Sequence, residues 1–240
     1  MRAILTFHSI DDSGSVLSYP PRAFAELIAA LHAAELPICD LDTLLAPTTR
    51  RGVALTFDDG MRSVFTHALP VLREHASPAH LFLTTAAVGG NNRWSTQPAK
   101  APCFEMLSWD ELEQLQQAGV RIESHTHSHP DLRQLDDQGI AAECSEADRT
   151  IEKRMGRRPR YFAYPYGFRN LRASSYARDH YRASVTIELR EIRGNEDPAA
   201  LPRLDSYYLR VPWTFRQLDA TLPRAYLALR GVLRRLRGSE

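Results

Sequence analysis

The sequence has little lysine, little cysteine and no long apolar run. Lys100 and Lys153 are the only lysines among 240 residues, so arginine carries nearly all of the positive charge, and the net charge is +1. Such a small charge gives no overall field that would favour nucleic acid. No stretch reaches the roughly 18 apolar residues that a membrane span needs. We therefore expect neither a nucleic-acid-binding protein nor an integral membrane protein.

The three cysteines, Cys39, Cys103 and Cys144, lie far apart and form no CxxC pair. Because their number is odd, a complete disulfide framework is excluded, and reduced thiols are expected. The first ten residues, MRAILTFHSI, carry one arginine and too short an apolar run for a secretory signal. We therefore expect a cytoplasmic protein.

Short apolar runs alternate along the chain with segments of helical periodicity. The composition, 43% hydrophobic and 25% charged, is that of a globular protein, and we expect one domain over residues 1–240. Strand candidates lie at 3–7, 53–57, 81–84, 120–123, 161–163 and 183–187. Helix candidates lie at 21–34, 61–75, 108–118, 137–155 and 169–180. This alternation predicts an α/β fold with a parallel sheet, either open or closed into a barrel.

Two stretches interrupt the alternation, at residues 86–107 and 188–206, and neither shows a clear periodicity. Long irregular connections in compact domains are usually functional or disordered. Directly after the first stretch, Ser108 and Glu111 match a capping box and predict the start of a helix.

Polar residues follow the predicted strands at their carboxyl ends, which is where α/β barrels build active sites. These residues are His8, Asp58, Asp59, His125, His127, His129 and the segment Tyr164, Pro165, Tyr166 and Gly167. Each has an ordinary explanation as well. A DDG tripeptide is often a simple turn, and a lone histidine is more often a core or surface residue than a ligand. Three alternating histidines are harder to explain without a metal.

His125 and His129 are separated by three residues, a spacing that allows two imidazoles to meet one ion. With one carboxylate they form a facial set that leaves positions open for water and substrate. An adjacent second carboxylate can accept a proton from that water. His127 points elsewhere if the segment is strand-like, so we leave it out of the ligand set. The pattern predicts metal-assisted hydrolysis of an amide or ester.

The motifs TFDDG, HTHSHPDL and FAYPYG resemble, in order and spacing, the first three motifs of the polysaccharide deacetylases, the NodB-homology group or carbohydrate esterase family 4. The resemblance covers nearly the whole chain and implies a distorted (β/α)7 barrel. It implies that Asp58 is the general base and that Asp59, His125 and His129 are the metal ligands. It also implies that the backbone N–H of Tyr166 helps to hold the oxyanion.

The sequence departs from the family pattern at two places. The family's third motif usually contains an arginine that pairs with the catalytic base, and here that place reads FAYP, so Arg203 is our candidate for the partner. The last motif, a Leu-x-His near the C-terminus, is absent, but the segment LTFH at residues 5–8 is similar to it. Some poly-N-acetylglucosamine deacetylases are circularly permuted in this way. His8 is therefore the predicted general acid, oriented by Asp205 or Asp197, with a simple strand end as the alternative.

Further candidates are weaker. Trp94 can stack on a sugar ring or bury its own loop, and with Tyr164 and Arg203 it completes the expected substrate-binding set. Near 222–237, an amphipathic helix is predicted by helical spacing of apolar residues. They are Leu222, Tyr226, Leu229, Leu233 and Leu236. We expect this face to pack on the barrel with the arginines solvated; the alternative is peripheral docking on an anionic membrane or a lipid-linked glycan.

Together these features predict a metal-dependent N-deacetylase, with zinc or another divalent transition metal as cofactor. Its substrate would be an N-acetylated sugar in a glycan, a lipid-linked glycan or a glycoconjugate precursor. Two alternatives stay open: a related amidase acting on a non-sugar C–N bond, and a catalytically silent carbohydrate-binding protein. A non-haem iron oxygenase is excluded because its HxD…H order is missing.

Overall fold

The computed structural model describes residues 1–97 and 100–237. Seven parallel strands, β1 to β7, form a closed barrel in chain order, and β7 pairs with β1. They are Arg2–Phe7, Gly52–Asp59, Ala79–Leu83, Val120–Ser124, Tyr161–Ala163, Ala183–Leu189 and Leu201–Asp205. The predicted α/β class and the (β/α)7 barrel are confirmed.

Six helices, α1 to α6, accompany the strands. They are Pro21–Ala33, Leu69–Glu74, Trp109–Gln117, Asp137–Met155, Leu171–His180 and Thr221–Leu236. One-turn helices occur at Leu41–Leu44 and Pro212–Phe215, a π-helix at Val64–Ala68, and 3-10 turns at Thr85–Ala87, Leu132–Gln134, Pro165–Gly167, Pro198–Ala200 and Ser206–Leu209. Two short strands, Ser9–Ile10 and Ser18–Tyr19, pair with each other outside the barrel.

Local sequence explains the helix boundaries. The predicted capping box is present at α3, where the Ser108 hydroxyl accepts from the Glu111 N–H while the Glu111 carboxylate accepts from the Ser108 N–H. Gly156 ends α4 in the left-handed conformation that favours glycine. Among the strands, β2 is buried at all eight positions, as expected when both faces of a parallel sheet are covered.

Aromatic packing fixes the ends of the first two strands. The Phe7 ring on β1 lies 5.5 Å from the Phe57 ring on β2, and Phe24 of α1 packs edge-on against Phe7 at 5.4 Å. All three side chains are fully buried. The residues that directly follow them, His8 and Asp58, therefore start from a rigid part of the core.

The seventh strand corrects one expectation. Leu201–Asp205 lies inside the stretch 188–206 that the sequence predicts to be irregular, yet Leu204 pairs with Leu5 and closes the barrel. The sequence pattern did not predict this strand, because neither Pro202 nor the charged Arg203 fits an apolar strand pattern. Arg203 is nonetheless buried, with 1% of its surface exposed.

The C-terminal helix α6 differs from the sequence prediction in the face that contacts the barrel. Most of the predicted contact face is wrong: α6 packs on the barrel mainly through Pro223, Leu227 and Gly231. Gly231 lies so close to β6 that an added Cβ would be 2.2 Å from the Leu189 carbonyl oxygen. Of the predicted stripe, Leu222, Leu229 and Leu236 are exposed, and Tyr226 and Leu233 are half-buried.

Two further expectations concern thiols and membrane spans. Cys39, Cys103 and Cys144 are all free. Across residues 1–97 and 100–237, none of the helices combines the length and the apolar character required to cross a bilayer.

Candidate active site and metal centre

The structure brings Asp59, His125 and His129 together at the carboxyl end of the barrel. Oδ1 of Asp59 lies 3.3 Å from His125 Nε2 and 3.4 Å from His129 Nε2. One ligand atom of each residue lies within 4.8 Å of the others, and all three residues are buried. The two histidines and one carboxylate therefore converge on a single point.

The backbone around this cluster is strained in a way that aims its side chains inward. Asp59 ends β2 with φ +73°, and His129 and Thr126 have φ +59° and +67°. Non-glycine residues seldom adopt this left-handed region, and such outliers concentrate at functional sites. The loop after β4 is held by Glu143 of α4, whose carboxylate accepts hydrogen bonds from the N–H groups of His127 and Ser128.

The donor set fits a divalent transition metal. His125 Nδ1 donates to the Ala163 carbonyl at 2.7 Å, which leaves the lone pair of Nε2 facing the Asp59 carboxylate. A lone pair and an anion at this distance repel each other unless a cation lies between them, either a proton on Nε2 or a metal ion. Two imidazoles and one carboxylate are ligands that zinc accepts, with a position left for water.

The pKa shifts of two of these three groups, His125 and Asp59, favour a positive charge beside the Asp59 carboxylate. Burial favours the neutral form of His125, but the Asp59 and Asp58 carboxylates outweigh it and raise the pKa of His125. Burial disfavours the Asp59 carboxylate, but hydrogen bonds from His125 and His129 hold the pKa of Asp59 well below its ordinary value. Burial prevails at His129 and lowers its pKa, which keeps that imidazole neutral.

Asp58 lies beside the cluster and pairs with Arg203. The guanidinium donates to both carboxylate oxygens, at 2.7 and 2.6 Å, and its Nε–H donates to the Thr186 carbonyl at 2.9 Å. Burial disfavours the charged carboxylate, but the Arg203 charge and hydrogen bonds outweigh it and lower the pKa of Asp58. Asp58 is therefore held as an anion in a buried place.

A cavity of about 480 Å³ opens onto these groups. Its lining includes Asp58, Asp59, His125, His129 and Arg203, and also His8, Val16, Leu17, Trp94, Gln97, Lys100, Ala101, Pro102, Tyr164, Tyr166, Gly167 and Ile187. His8, half-buried, lines the same cavity as the cluster. Strand topology accounts for this gathering, because β1 and β2 are neighbours in the barrel.

The sequence profile of the polysaccharide deacetylase family matches residues 46–183, more than half of the chain. The chain belongs to this family. The matched range contains Asp58, Asp59, His125, His129 and Tyr166. His8 and Arg203, the residues at which the sequence departs from the family pattern, lie outside it.

Relatives of this polysaccharide deacetylase family member agree with that assignment. A poly-beta-1,6-N-acetyl-D-glucosamine N-deacetylase of Staphylococcus epidermidis is 26% identical over 165 residues, which are 65% of this chain and 54% of that protein. The chain thus spans little more than half the length of that relative.

Solved structures are similar in fold. The structure of IcaB from Ammonifex degensii matches with a TM-score of 0.74 and 23% identity, covering 92% of this chain and 96% of that one. The deacetylase PplD of Streptococcus pyogenes, in complex with acetate, matches with a TM-score of 0.72 and 20% identity, covering 85% and 91%.

In this family member, the long loop after β3 forms one wall of the cavity. The Trp94 ring lies 4.3 Å from the His129 ring, and its Nε1–H donates to the Tyr166 hydroxyl at 3.0 Å. The Thr96 hydroxyl donates to the His129 carbonyl at 2.8 Å. The segment 86–107 is thus tied to His129, one of the candidate metal ligands; residues 98 and 99 lie outside the described part.

Other predicted residues have different surroundings. Tyr164 is buried and lines the cavity, and its hydroxyl donates to the Ala199 carbonyl at 2.9 Å. His127 bonds to Thr85 at 2.9 Å and lies outside the ligand cluster, in agreement with its omission. Asp197, one of the two proposed partners of His8, pairs with Arg178.

The other proposed partner of His8 is also engaged elsewhere. Asp205 accepts from the Tyr207 N–H at 2.9 Å and lies 3.5 Å from Arg234. Within the described residues, neither Asp205 nor Asp197 lies at hydrogen-bond or ion-pair distance from His8, so the expectation that one of them orients His8 is wrong.

Several residues that shape the site were not predicted from the sequence. Glu143 accepts hydrogen bonds from the histidine loop, and the Ala163 carbonyl sets the tautomer of His125. Ile187 and Gly167 line the cavity. An added Cβ at Gly167 would lie 2.4 Å from Ile187. None of these residue types carries a chemical signature, although the YPYG segment pointed to the position of Gly167.

Proposed function

We propose that this protein is a metal-dependent hydrolase that removes the acetyl group from an N-acetylated sugar. The observation that carries the proposal is the pair of adjacent aspartates with different partners. Asp59 faces the two histidines, and Asp58 faces Arg203. A binding protein has no need for an ionised carboxylate beside a metal-ligand set, whereas hydrolysis of an amide needs both.

Asp59, His125 and His129 would hold the metal, for which zinc is our first candidate. A metal bound there would supply a water of lowered pKa and a positive charge close to the substrate carbonyl. Arg203 keeps Asp58 ionised at neutral pH, which is the protonation state that a proton acceptor requires.

The remaining groups account for the rest of the reaction. The N–H of Tyr166, where the backbone turns with φ +59°, would donate to the oxyanion, and His8 would donate a proton to the departing amine. Water thus adds across the C–N bond, and the products are acetate and a free amino sugar. The half-buried Trp94, next to His129, and Tyr164 would contact the sugar ring.

Family membership supports a sugar acetamide as the substrate, and the relative named for poly-beta-1,6-N-acetyl-D-glucosamine supports N-acetylglucosamine as its sugar. The missing arginine of the third motif keeps open the alternative of an amidase acting on a non-sugar bond. Arg203 from β7 pairs with Asp58 in its place, which supports the deacetylase over that alternative. The cytoplasmic location expected from the sequence stays a prediction.

The test is acetate release by zinc-loaded protein. Substrates are chitooligosaccharides, N-acetylglucosamine, its nucleotide and lipid-linked forms, and an aryl acetate. Asp58→Asn should lower kcat by about 10²-fold or more, since it removes the proton acceptor. Asp148→Asn, the same change at a buried aspartate on α4, should leave kcat unchanged.

Chelation of the metal should abolish activity, and added zinc should restore it. An Asp58→Asn protein that keeps full activity would refute the role of the base. Metal binding without acetate release from any sugar would favour the amidase, and sugar binding that is indifferent to Asp58→Asn would favour a silent carbohydrate-binding protein.

A further inference from the structure

The outward surface of α6 is apolar along its entire length. Leu222, Ala225, Leu229, Val232 and Leu236 follow each other at intervals of three and four residues, and all five are exposed. The four larger side chains are 69%, 58%, 51% and 79% exposed. At 1.5 Å per residue, this outer face of α6 is about 24 Å long.

The orientation of the helix is the reverse of the usual arrangement. A helix on a globular protein normally buries its apolar stripe and exposes its charges. Here the arginines lie on the flanks or toward the barrel, where Arg224 pairs with Glu191 at 2.7 Å and Arg235 with Glu188 at 3.1 Å. The tight fit of Gly231 against Leu189 fixes this orientation, because rotation would place a larger side chain there.

An aromatic pair extends the outer face at one edge. Trp213, which is exposed, packs edge-on against Tyr226 with the ring centroids 5.1 Å apart. Tryptophan and tyrosine are enriched at membrane interfaces, since one part of each side chain is apolar and another forms hydrogen bonds.

The positive charge beside the outer face of α6 indicates which kind of surface this face would bind. Residues 206–237 hold seven arginines and a single acidic residue, Asp219, in a chain whose net charge is +1, so the remainder of the chain is acidic overall. Within the described residues, no acidic group lies at salt-bridge distance from Arg230 or Arg237. Arginines that flank an apolar helical face match an anionic lipid surface, whereas a second copy of the chain would bring two arginine-rich edges together.

We propose that α6 docks this protein on an anionic membrane, with the outer face inserted among the lipid chains and the flanking arginines at the headgroups. The C-terminal end of α6 lies toward the rim that bears the cavity, because Arg234 approaches Asp205, the last residue of β7, at 3.5 Å. Docking would thereby hold the cavity near the lipid surface. This inference stands independently of the reaction catalysed.

The experiment is flotation of the complete chain with vesicles of phosphatidylcholine alone and of phosphatidylcholine with about one-third phosphatidylglycerol. We expect binding to the anionic vesicles that weakens as salt rises from about 0.1 to 0.5 M. Leu229→Glu should lower the partition coefficient about tenfold or more, because it places an anion in the inserted face. Leu171→Glu is the matched control at another leucine, 90% exposed on α5, and should bind like the wild type.

Arg230→Gln with Arg237→Gln should reduce the preference for anionic over neutral vesicles without unfolding the protein. Acetate release from a small soluble substrate should be the same in Leu229→Glu and wild type, which separates failure of docking from failure of the reaction. Absence of vesicle binding would overturn the proposal. So would a dimer in light scattering that Leu229→Glu dissociates in the absence of lipid binding, since the face would then belong to a second copy.

Discussion

Arg203 offers the sharpest test of how this site is built. Its side chain is 1% exposed, and it makes two charge-assisted hydrogen bonds to Asp58 and one to the Thr186 carbonyl. Arg203→Met keeps much of the volume but leaves the Asp58 carboxylate buried and unpaired. Breaking a buried pair in this way costs about 3–5 kcal/mol. For a chain of this size that corresponds to a fall in Tm of roughly 6–20 °C.

The same substitution should change the pH dependence of both stability and activity. In the wild type, Arg203 lowers the pKa of Asp58 below its ordinary value of 3.8. The pair therefore stabilises the protein above that value, and the contribution is lost as pH falls through the lower pKa of the folded state. In Arg203→Met the pKa of Asp58 rises. The stability deficit should then be largest at neutral pH, and the acid limb of kcat/KM should move to higher pH.

Thermal unfolding across pH and a pH–rate profile of the metal-loaded protein measure these effects. Arg190→Met is the matched control, because Arg190 binds Glu196 through a similar fork at 2.6 and 2.8 Å but does not line the cavity. It should reduce stability without moving the acid limb. An Arg203→Met protein that unfolds at the wild-type temperature and keeps its acid limb would refute the reasoning.

Two further predictions concern positions outside the cavity. At Asp148, burial dominates and raises the pKa; protonation therefore favours folding at low pH, and that contribution is lost as pH rises through the raised value. Asp148→Asn, which keeps an acceptor for the Tyr181 hydroxyl, removes this loss, so its Tm should gain on that of the wild type as pH rises through the raised value, and a curve parallel to wild type would contradict this. Gly231→Ala should destabilise by about 1–3 kcal/mol in urea unfolding, because the methyl group would meet the Leu189 carbonyl. Unchanged stability would show that α6 can move away from β6.

Much of the candidate site could be predicted because topology, rather than packing detail, brings it together. The carboxyl ends of parallel strands share one rim of the barrel, so the positions of Asp58, Asp59 and His125 in the sequence already predicted their proximity. Contacts that depend on side-chain geometry could not be read in this way. The bonds from the histidine loop to Glu143 and from His125 to the Ala163 carbonyl join elements whose approach no local pattern encodes.

The two errors in the fold have physical causes of the same kind. The strand around Arg203 was missed because a buried ion pair places a charge where strand patterns require an apolar residue. The contact face of α6 was misassigned because close packing needs a small residue, Gly231, whereas periodicity counts large ones such as Leu229 and Leu236. In both cases a specific contact outweighs the average preference on which sequence patterns depend.

Closure of the barrel between β1 and β7 has a consequence for folding. Leu5 pairs with Leu204 across nearly the whole length of the chain, so this contact carries a large loop-closure entropy and should form late. His8 and Arg203 come from these two strands, while Asp59, His125 and His129 lie between them in sequence. A folding intermediate in which β1 and β7 are not yet paired would therefore hold the candidate metal ligands together before Arg203 reached Asp58. During refolding, metal uptake should precede the recovery of hydrolysis. The delay between them would measure the time that β1 and β7 need to pair.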